Sequence, residues 1–491
     1  MEQRFEKRIV PCLRRDLWQI QEREQTQELR LPDGMPDIGG VLAAWGQCVM
    51  RGKEWLGDSI GVSGGVMVWV LYEPADGTQP RTIEAWIPVQ GKWNLPQTQR
   101  EGSIRSEWLL RGVDARTVSA RKMMVRATVS LLAEVLEPWD AEIYNATETE
   151  PDVQLLRNAY PAVIPQEAGE KAFLLEESVP LNPPAEQLLY CRLTPELTEQ
   201  KVIGGKAVFR GNGLLHLLYR GEDGQLYSAD HSLPFSQFSD LDRDYDKNAT
   251  LSVMMALSNL EPELTEGNLN MKCGMVAQYL VHDTQMLELV SDAYSPSRSV
   301  RTHTEALELP MVLDRCPVDM ACQIPMPNGA ARMVDASVQA AHPRLRRTGE
   351  QSELEMVGTA QMLYYDDAGN LRGTTAQWSD SRNLPCDDSA AVQARLGEMS
   401  ALRQDGPDLR SDIQAEAQAI GSQGIEMVTA LELGNTAAPD PNRPSLILRR
   451  AGEQTLWNLA KATGSTVDAI RRANGLTTEP IDDRLLLIPI A

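Results

Sequence analysis

The chain has 491 residues, 42% of them hydrophobic and 24% charged, with a formal net charge of −22. That length exceeds what one core organises and sets an expectation of three or four domains, while the acidity excludes the basic footprint that duplex nucleic acid requires. No run approaches the ~18 consecutive apolar residues of a membrane helix, and the charged stretch Met1 to Arg8 lacks the apolar segment of a secretory signal, so the expected address is cytoplasmic.

Residues 1–30 form a polar segment broken at Pro11; Arg14 to Glu28 reads as a helix with Leu17, Ile20 and Gln21 on one side. A turn-rich entry, Leu31 to Asp37, precedes the first apolar unit. There Val66 to Tyr72 is an almost continuous apolar run, as expected of a strand covered on both faces. The turn Glu73 to Gly77 leads into an alternating return strand, Thr82 to Val89, and Lys122 to Val135 is a further strand. The same device recurs twice. Leu214 to Tyr219 is followed by Asp223-Gly224, and Glu355 to Tyr364 by Asp366 to Gly369. Each copy has Leu-Tyr and then a Gly five residues after the Tyr, and Tyr72, Tyr219 and Tyr364 are nearly evenly spaced. A matched spacing with a matched turn residue marks three copies of one β domain. Short strands punctuated by Gly turns predict sandwich or barrel-like domains.

The expected division is an N-terminal segment (1–30), a first repeat (31–137), a connector rich in Pro and acidic residues (138–177), a second repeat (178–298), a third (305–434), a Pro-rich linker (435–444) and a tail (445–491). The tail holds six Lys/Arg and five Asp/Glu, so the body carries essentially all the negative charge. Its pattern is a strand (Leu446-Ile447-Leu448), a helix from Leu456 capped by Thr455, a second helix from Val467 capped by Thr466 and stopped at Asn474-Gly475, and a closing strand (Leu485 to Pro489). The predicted fold class is therefore mainly β, with three repeated β-sandwich or barrel-like domains followed by a small α+β (βααβ) domain.

Candidate chemistry is sparse. Gly61-Val62-Ser63-Gly64-Gly65 fits a nucleophile elbow in letters, but a strand follows where a helix is needed. Asp240, Asp242, Asp244 and Asp246 alternate like a calcium loop without its glycine or closing glutamate. His216, His231, His282, His303 and His342 do not cluster; His216 reads as a satisfied sheet residue. The seven cysteines (Cys12, Cys48, Cys191, Cys273, Cys316, Cys322, Cys386) are scattered and read as buried free thiols. No catalytic residue, metal site or cofactor is expected, and the chain reads as non-enzymatic.

The tail resembles the LysM module, through Gly452-x-x-Thr455-Leu456-Trp457-x-Leu459-Ala460, Val467-x-x-Ile470-x-x-x-Asn474-Gly475-Leu476 and Leu487-Ile488-Pro489. It departs from that pattern at Glu453-Gln454, where a single Asp is usual, and at Asp482-Asp483, where a Gly precedes the last strand. The resemblance implies a groove between two loops, formed by Gly452, Glu453, Gln454 and Thr455 on one side and Asn474, Gly475, Leu476 and Thr477 on the other, which in that family takes N-acetylglucosamine polymers. Trp457 is the obvious sugar-stacking candidate, but an at least partly core position is the stronger reading. The three repeats of the acidic body resemble the SPOCS spore-coat domain, and repeats plus tail together resemble the SipL-like family of spore-coat morphogenetic proteins. That resemblance implies an adaptor in the mother-cell cytoplasm at the forespore surface, with its LysM bound to a SpoIVA-like coat ATPase and the Pro linker holding it away from the body. The alternatives are a peptidoglycan or cortex-binding protein and a hydrolase with a LysM targeting module.

Overall fold

The computed structural model describes residues 2–96, 102–145, 149–348, 351–384, 391–421, 424–436, 443–450, 452, 454–477 and 485–490. The chain is mainly β. After the short β1 (Glu2–Arg4), the first unit comprises β2 (Glu6–Arg30), β3 (Ile38–Trp55), β4 (Ser59–Pro74), β5 (Arg81–Asn94), β6 (Ser103–Ser119) and β7 (Lys122–Asn145). The second comprises β8 (Gln154–Val179), β9 (Ala185–Ile203), β10 (Lys206–Gly221), β11 (Leu226–Asp240), β12 (Thr250–Thr265) and β13 (Asn268–Tyr294). After β14 (Val300–Ala306) comes the third: β15 (Met311–Pro325), β16 (Ala330–Ala340), β17 (Arg344–Thr348), β18 (Gln351–Asp366), β19 (Leu371–Asn383), β20 (Ala391–Met399), β21 (Arg403–Asp405) and β22 (Asp408–Gly421). Strand β23 (Glu426–Leu433) precedes the tail, which is β24 (Leu446–Arg450), α1 (Leu456–Thr463), α2 (Val467–Asn474) and β25 (Leu485–Pro489).

One pairing order occurs in all three units. The second, third and fourth strands make an antiparallel meander (β3-β4-β5, β9-β10-β11, and β16/β17-β18-β19). The first strand skips this sheet and pairs with the last, which also pairs with the strand or strands just before it (β2-β7-β6, β8-β13-β12, and β15-β22 with β20 and β21). Two small sheets thus face each other around a core, such as Val66, Val68, Val70, Val125, Val129 and Leu131 in the first unit. In the central strand the alternate residues Trp69 and Leu71 face the other way, into the core of the second unit beside Tyr190 and Leu217. This explains the unbroken apolar run: each face of β4 has its own core to fill.

The turns that close the central hairpins place Gly77, Gly224 and Gly369 at φ 72°, 77° and 81°, the left-handed region that favours glycine. These hairpins meet rather than stand apart. A pocket of about 300 Å³ lies between them, lined by Gly77, Gly224 and Leu371 and by Glu73, Arg220 and Tyr365, the residues that follow the three tyrosines.

The expectations for two stretches of the chain are corrected. Arg14 to Glu28 is strand, not helix: β2 pairs with β7 from Glu6↔Asn145 to Arg30↔Lys122. It is the edge strand of its sheet, and its charges are matched across the ladder, Lys7 with Glu142 and Glu28 with Lys122, so few apolar residues are needed and tertiary pairing overrides the thin helical pattern. The stretch 138–177 is likewise mostly strand, the end of β7 and nearly all of β8. The prolines within β8, Pro161 and Pro165, are tolerated because β8 also lies on an edge. The linker proposed at 435–444 falls largely outside the described residues.

Strands β2, β7, β8 and β13 run for 25, 24, 26 and 27 residues, each spanning roughly 80 Å at ~3.3 Å per residue. Their outer halves extend past the sandwiches and share a second core of Val10, Ile143, Ile164 and Leu289 with Leu307 and Met427. The sheet β1-β23-β14 caps this arm through Phe5, Val290, Val428 and Leu431. Cys12, Cys48, Cys191, Cys273 and Cys322 are free thiols, as expected, but Cys316 is disulfide-bonded, against expectation. Among the described residues no helix is long and apolar enough to cross a membrane.

Candidate functional site

The tail begins from local signals. Thr455 caps α1 by accepting from the Asn458 N–H at 3.2 Å, and Thr466 caps α2 by accepting from the Ala469 N–H at 3.1 Å. Gly464 and Gly475 close the two helices in the left-handed conformation. Helices of eight residues are unstable alone; these are held by a shared core of Leu456, Leu459, Ala460, Ile470, Leu486 and Ile488.

Of the loop residues singled out from the sequence, Gly452, Gln454, Thr455, Gly475 and Thr477 are exposed, and Glu453 lies outside the described residues. Leu476 packs against the tail core. Asn474 is a clamp: its amide nitrogen donates to the Ile470 carbonyl at 2.8 Å and the Leu487 carbonyl at 2.6 Å, and its oxygen accepts from the Leu487 N–H at 2.8 Å. It therefore ties α2 to β25, and substituting it would loosen the fold before it tested any ligand.

Trp457 is only 9% exposed. Its indole N–H donates to Asp292 Oδ2 at 2.8 Å, and its ring meets Tyr294 edge-on at 4.8 Å between centroids. Lys461 Nζ lies 2.7 Å from the same carboxylate, and the Tyr294 hydroxyl donates to the Ser465 carbonyl at 3.0 Å. Burial, with Asp292 nearby, pushes the Tyr294 phenol up to about 12, so it stays a donor. The expectation that the tail is held away from the body is thus corrected: one face of α1 is seated on the end of β13. Trp457 anchors that joint and is closed to a sugar.

What remains open is the outer face of the two-stranded sheet. Leu448 sits directly opposite Leu487, with Leu446 opposite Pro489 and Leu485 opposite Arg450. Leu446, Leu448, Leu485 and Leu487 are 51%, 56%, 55% and 38% exposed, while Leu486 and Ile488 point inward and are fully buried. Four neighbouring leucines on one small sheet form an apolar patch of the kind that marks an interaction surface. The sequence carried the signal, since Leu recurs at alternate positions in strands whose intervening residues already fill the core.

In the body, His216 is satisfied, as expected, but by two units at once. Its Nδ1 lies 2.7 Å from Asp230 Oδ1 and its Nε2 2.7 Å from Asp335 Oδ1, the latter on β16 of the third unit. Burial pulls the imidazole pKa down, but the hydrogen bonds to Asp230 and Asp335 outweigh it and raise it to about 9. Ser63 lies mid-strand, paired with Gly52 and Gln90, with no helix behind it. Among the described residues no group of three or more His, Cys, Asp or Glu could hold a metal ion.

No curated protein and no solved structure matches the chain. The family described as SipL, SPOCS domain matches residues 184–265, which span β9 to β12 of the second unit. Residues 184–265 are therefore similar to the SPOCS domain of the SipL family, and this likeness indicates a sporulation-related protein.

Proposed function

We propose that the chain is a non-enzymatic adaptor of spore-coat assembly, acting in the mother-cell cytoplasm at the forespore surface. The observation that carries this reading is the SPOCS match across the second unit. The common strand order and the three positive-φ turn glycines support reading the first and third units as further copies of that domain. The βααβ tail, read as a LysM-like module, is the recognition element, and a SpoIVA-like coat ATPase is its partner by resemblance. The four-leucine face supports a protein partner over an N-acetylglucosamine polymer, because Trp457 is engaged by Asp292 and Tyr294. Three β units joined to one recognition element would place a large platform wherever the tail binds, raising the local concentration of whatever the body contacts.

The test is a chain ending at Pro444, expressed during sporulation as a fluorescent fusion beside the full chain. The truncated protein should keep the fold of its body and spread through the mother cell, while the full chain decorates the forespore. Forespore localisation of the truncation would overturn the proposal.

A further inference from the structure

The three units meet at a buried polar junction that no part of the adaptor reading uses. Arg15 on β2 and Arg105 on β6 both engage one carboxylate, Glu134, which is fully buried; Arg105 Nη1 lies 2.9 Å from its Oε2. From the third unit, Arg395 on β20 donates to Glu416 at 3.1 Å and to the Val253 carbonyl of the second unit at 3.2 Å. Three guanidinium groups thus share two carboxylates. A further carboxylate of the first unit, Glu107, lies 3.3 Å from His342 Nε2.

Between them is a cavity of about 20 Å³, lined by Arg15, Arg105, His282, Gln393, Arg395 and Glu416. That is room for one water-sized occupant and too little for a phosphate or a carboxylate. Arg105 and His282 are each 2% exposed. Among the described residues Arg105 Nε and His282 Nδ1 have no hydrogen-bond partner, and neither has Gln393 Oε1. Buried polar atoms are normally paired, and an orphaned guanidinium N–H is among the costliest to leave unmet. The surroundings are electropositive. Burial, reinforced by Arg315, Arg15 and Arg105, drives the His282 pKa well below its usual value. Burial likewise brings Arg105 down to about 10, with Glu134 opposing and Arg395 and Arg15 adding to the fall.

We infer that this junction binds a single small monovalent anion, of the size and charge of chloride, which accepts hydrogen bonds from Arg105 Nε–H and the Nδ1–H tautomer of His282 and balances the surplus guanidinium charge. The Gln393 amide, turned over, adds a third N–H. Because Arg105, His282 and Gln393 belong to the first, second and third units respectively, the ion locks the three units to one another.

The test uses the full chain in sodium chloride, bromide or gluconate at equal ionic strength. Thermal unfolding should shift upward and saturate with either halide but not with gluconate. The folding equilibrium constant should rise about tenfold when halide is nine times its Kd. Gln393→Glu places a fixed negative charge in the cavity, so this variant should match halide-saturated wild type in gluconate and lose its halide response. Crystals soaked in bromide should show an anomalous peak within hydrogen-bonding reach of Arg105 Nε. Equal stability of wild type in all three salts would mean that only a water occupies the cavity and would overturn the inference. A halide response that persists in Gln393→Glu, or bromide peaks only at the surface, would overturn it equally.

Discussion

Raising the pH through 9 removes the proton that ties the second unit to the third. His216 is 13% exposed and sits between Asp230 and Asp335, whose own side chain is fully buried. Its pKa is about 9 in the fold against 6.5 unperturbed, and each pKa unit is worth about 1.4 kcal/mol. The protonated form therefore contributes about 3 kcal/mol, fully present below pH 6.5 and lost as the pH rises through 9. His216→Gln keeps hydrogen-bonding atoms but not the charge. The wild-type advantage over this variant, from urea unfolding at pH 6 to 10, should fall by about 3 kcal/mol across that range. Glu137, whose carboxyl is pushed up to about 7 by burial and by Asp16, titrates in both proteins and cancels in the difference. Parallel curves for wild type and variant, or an imidazole that titrates near 6.5 by NMR, would refute the reasoning.

Asp292→Ala removes the acceptor of the Trp457 indole and the partner of Lys461, which is 45% exposed and contributes little. The seating of the tail should weaken by about 1–3 kcal/mol, read as faster proteolysis between residues 434 and 445; unchanged cleavage would place the joint elsewhere. Gly224→Val forces a branched residue to φ 77°, with Gln79 Nε2 3.2 Å from the new Cβ, and should cost about 1–2 kcal/mol in urea unfolding. Gly40→Ala, which meets nothing within 4 Å, should stay within about 0.5 kcal/mol.

The central hairpins were legible in the sequence because their information is local: an apolar run, a Tyr, and a glycine at a fixed offset that the turn requires at positive φ. Helices α1 and α2 were legible for the same reason, since Thr455, Thr466, Gly464 and Gly475 specify their ends within a few residues. The long edge strands were not. β2 is held by a partner more than a hundred residues away along most of its length, so its stabilising partners are invisible to any local window, and its charged residues imitate a solvated segment. The same distance hid the contacts of Trp457 and His216, whose partners Asp292 and Asp335 lie far off in the chain. The leucine face was missed because strands of five residues with apolar side chains on both faces read as simply hydrophobic.

The most direct test of the adaptor account is binding of the purified SpoIVA-like ATPase to the full chain and to the Leu448→Asp/Leu487→Asp variant, with retention on an insoluble N-acetylglucosamine polymer measured beside it. Both side chains point out of the tail sheet, so the variant should fold normally. Each buried leucine is worth about 1.5–3 kcal/mol, so affinity for the ATPase should drop by roughly 100-fold or more, with no retention of either protein on the polymer. Undiminished ATPase binding by the variant, or retention on the polymer by both proteins, would contradict the account.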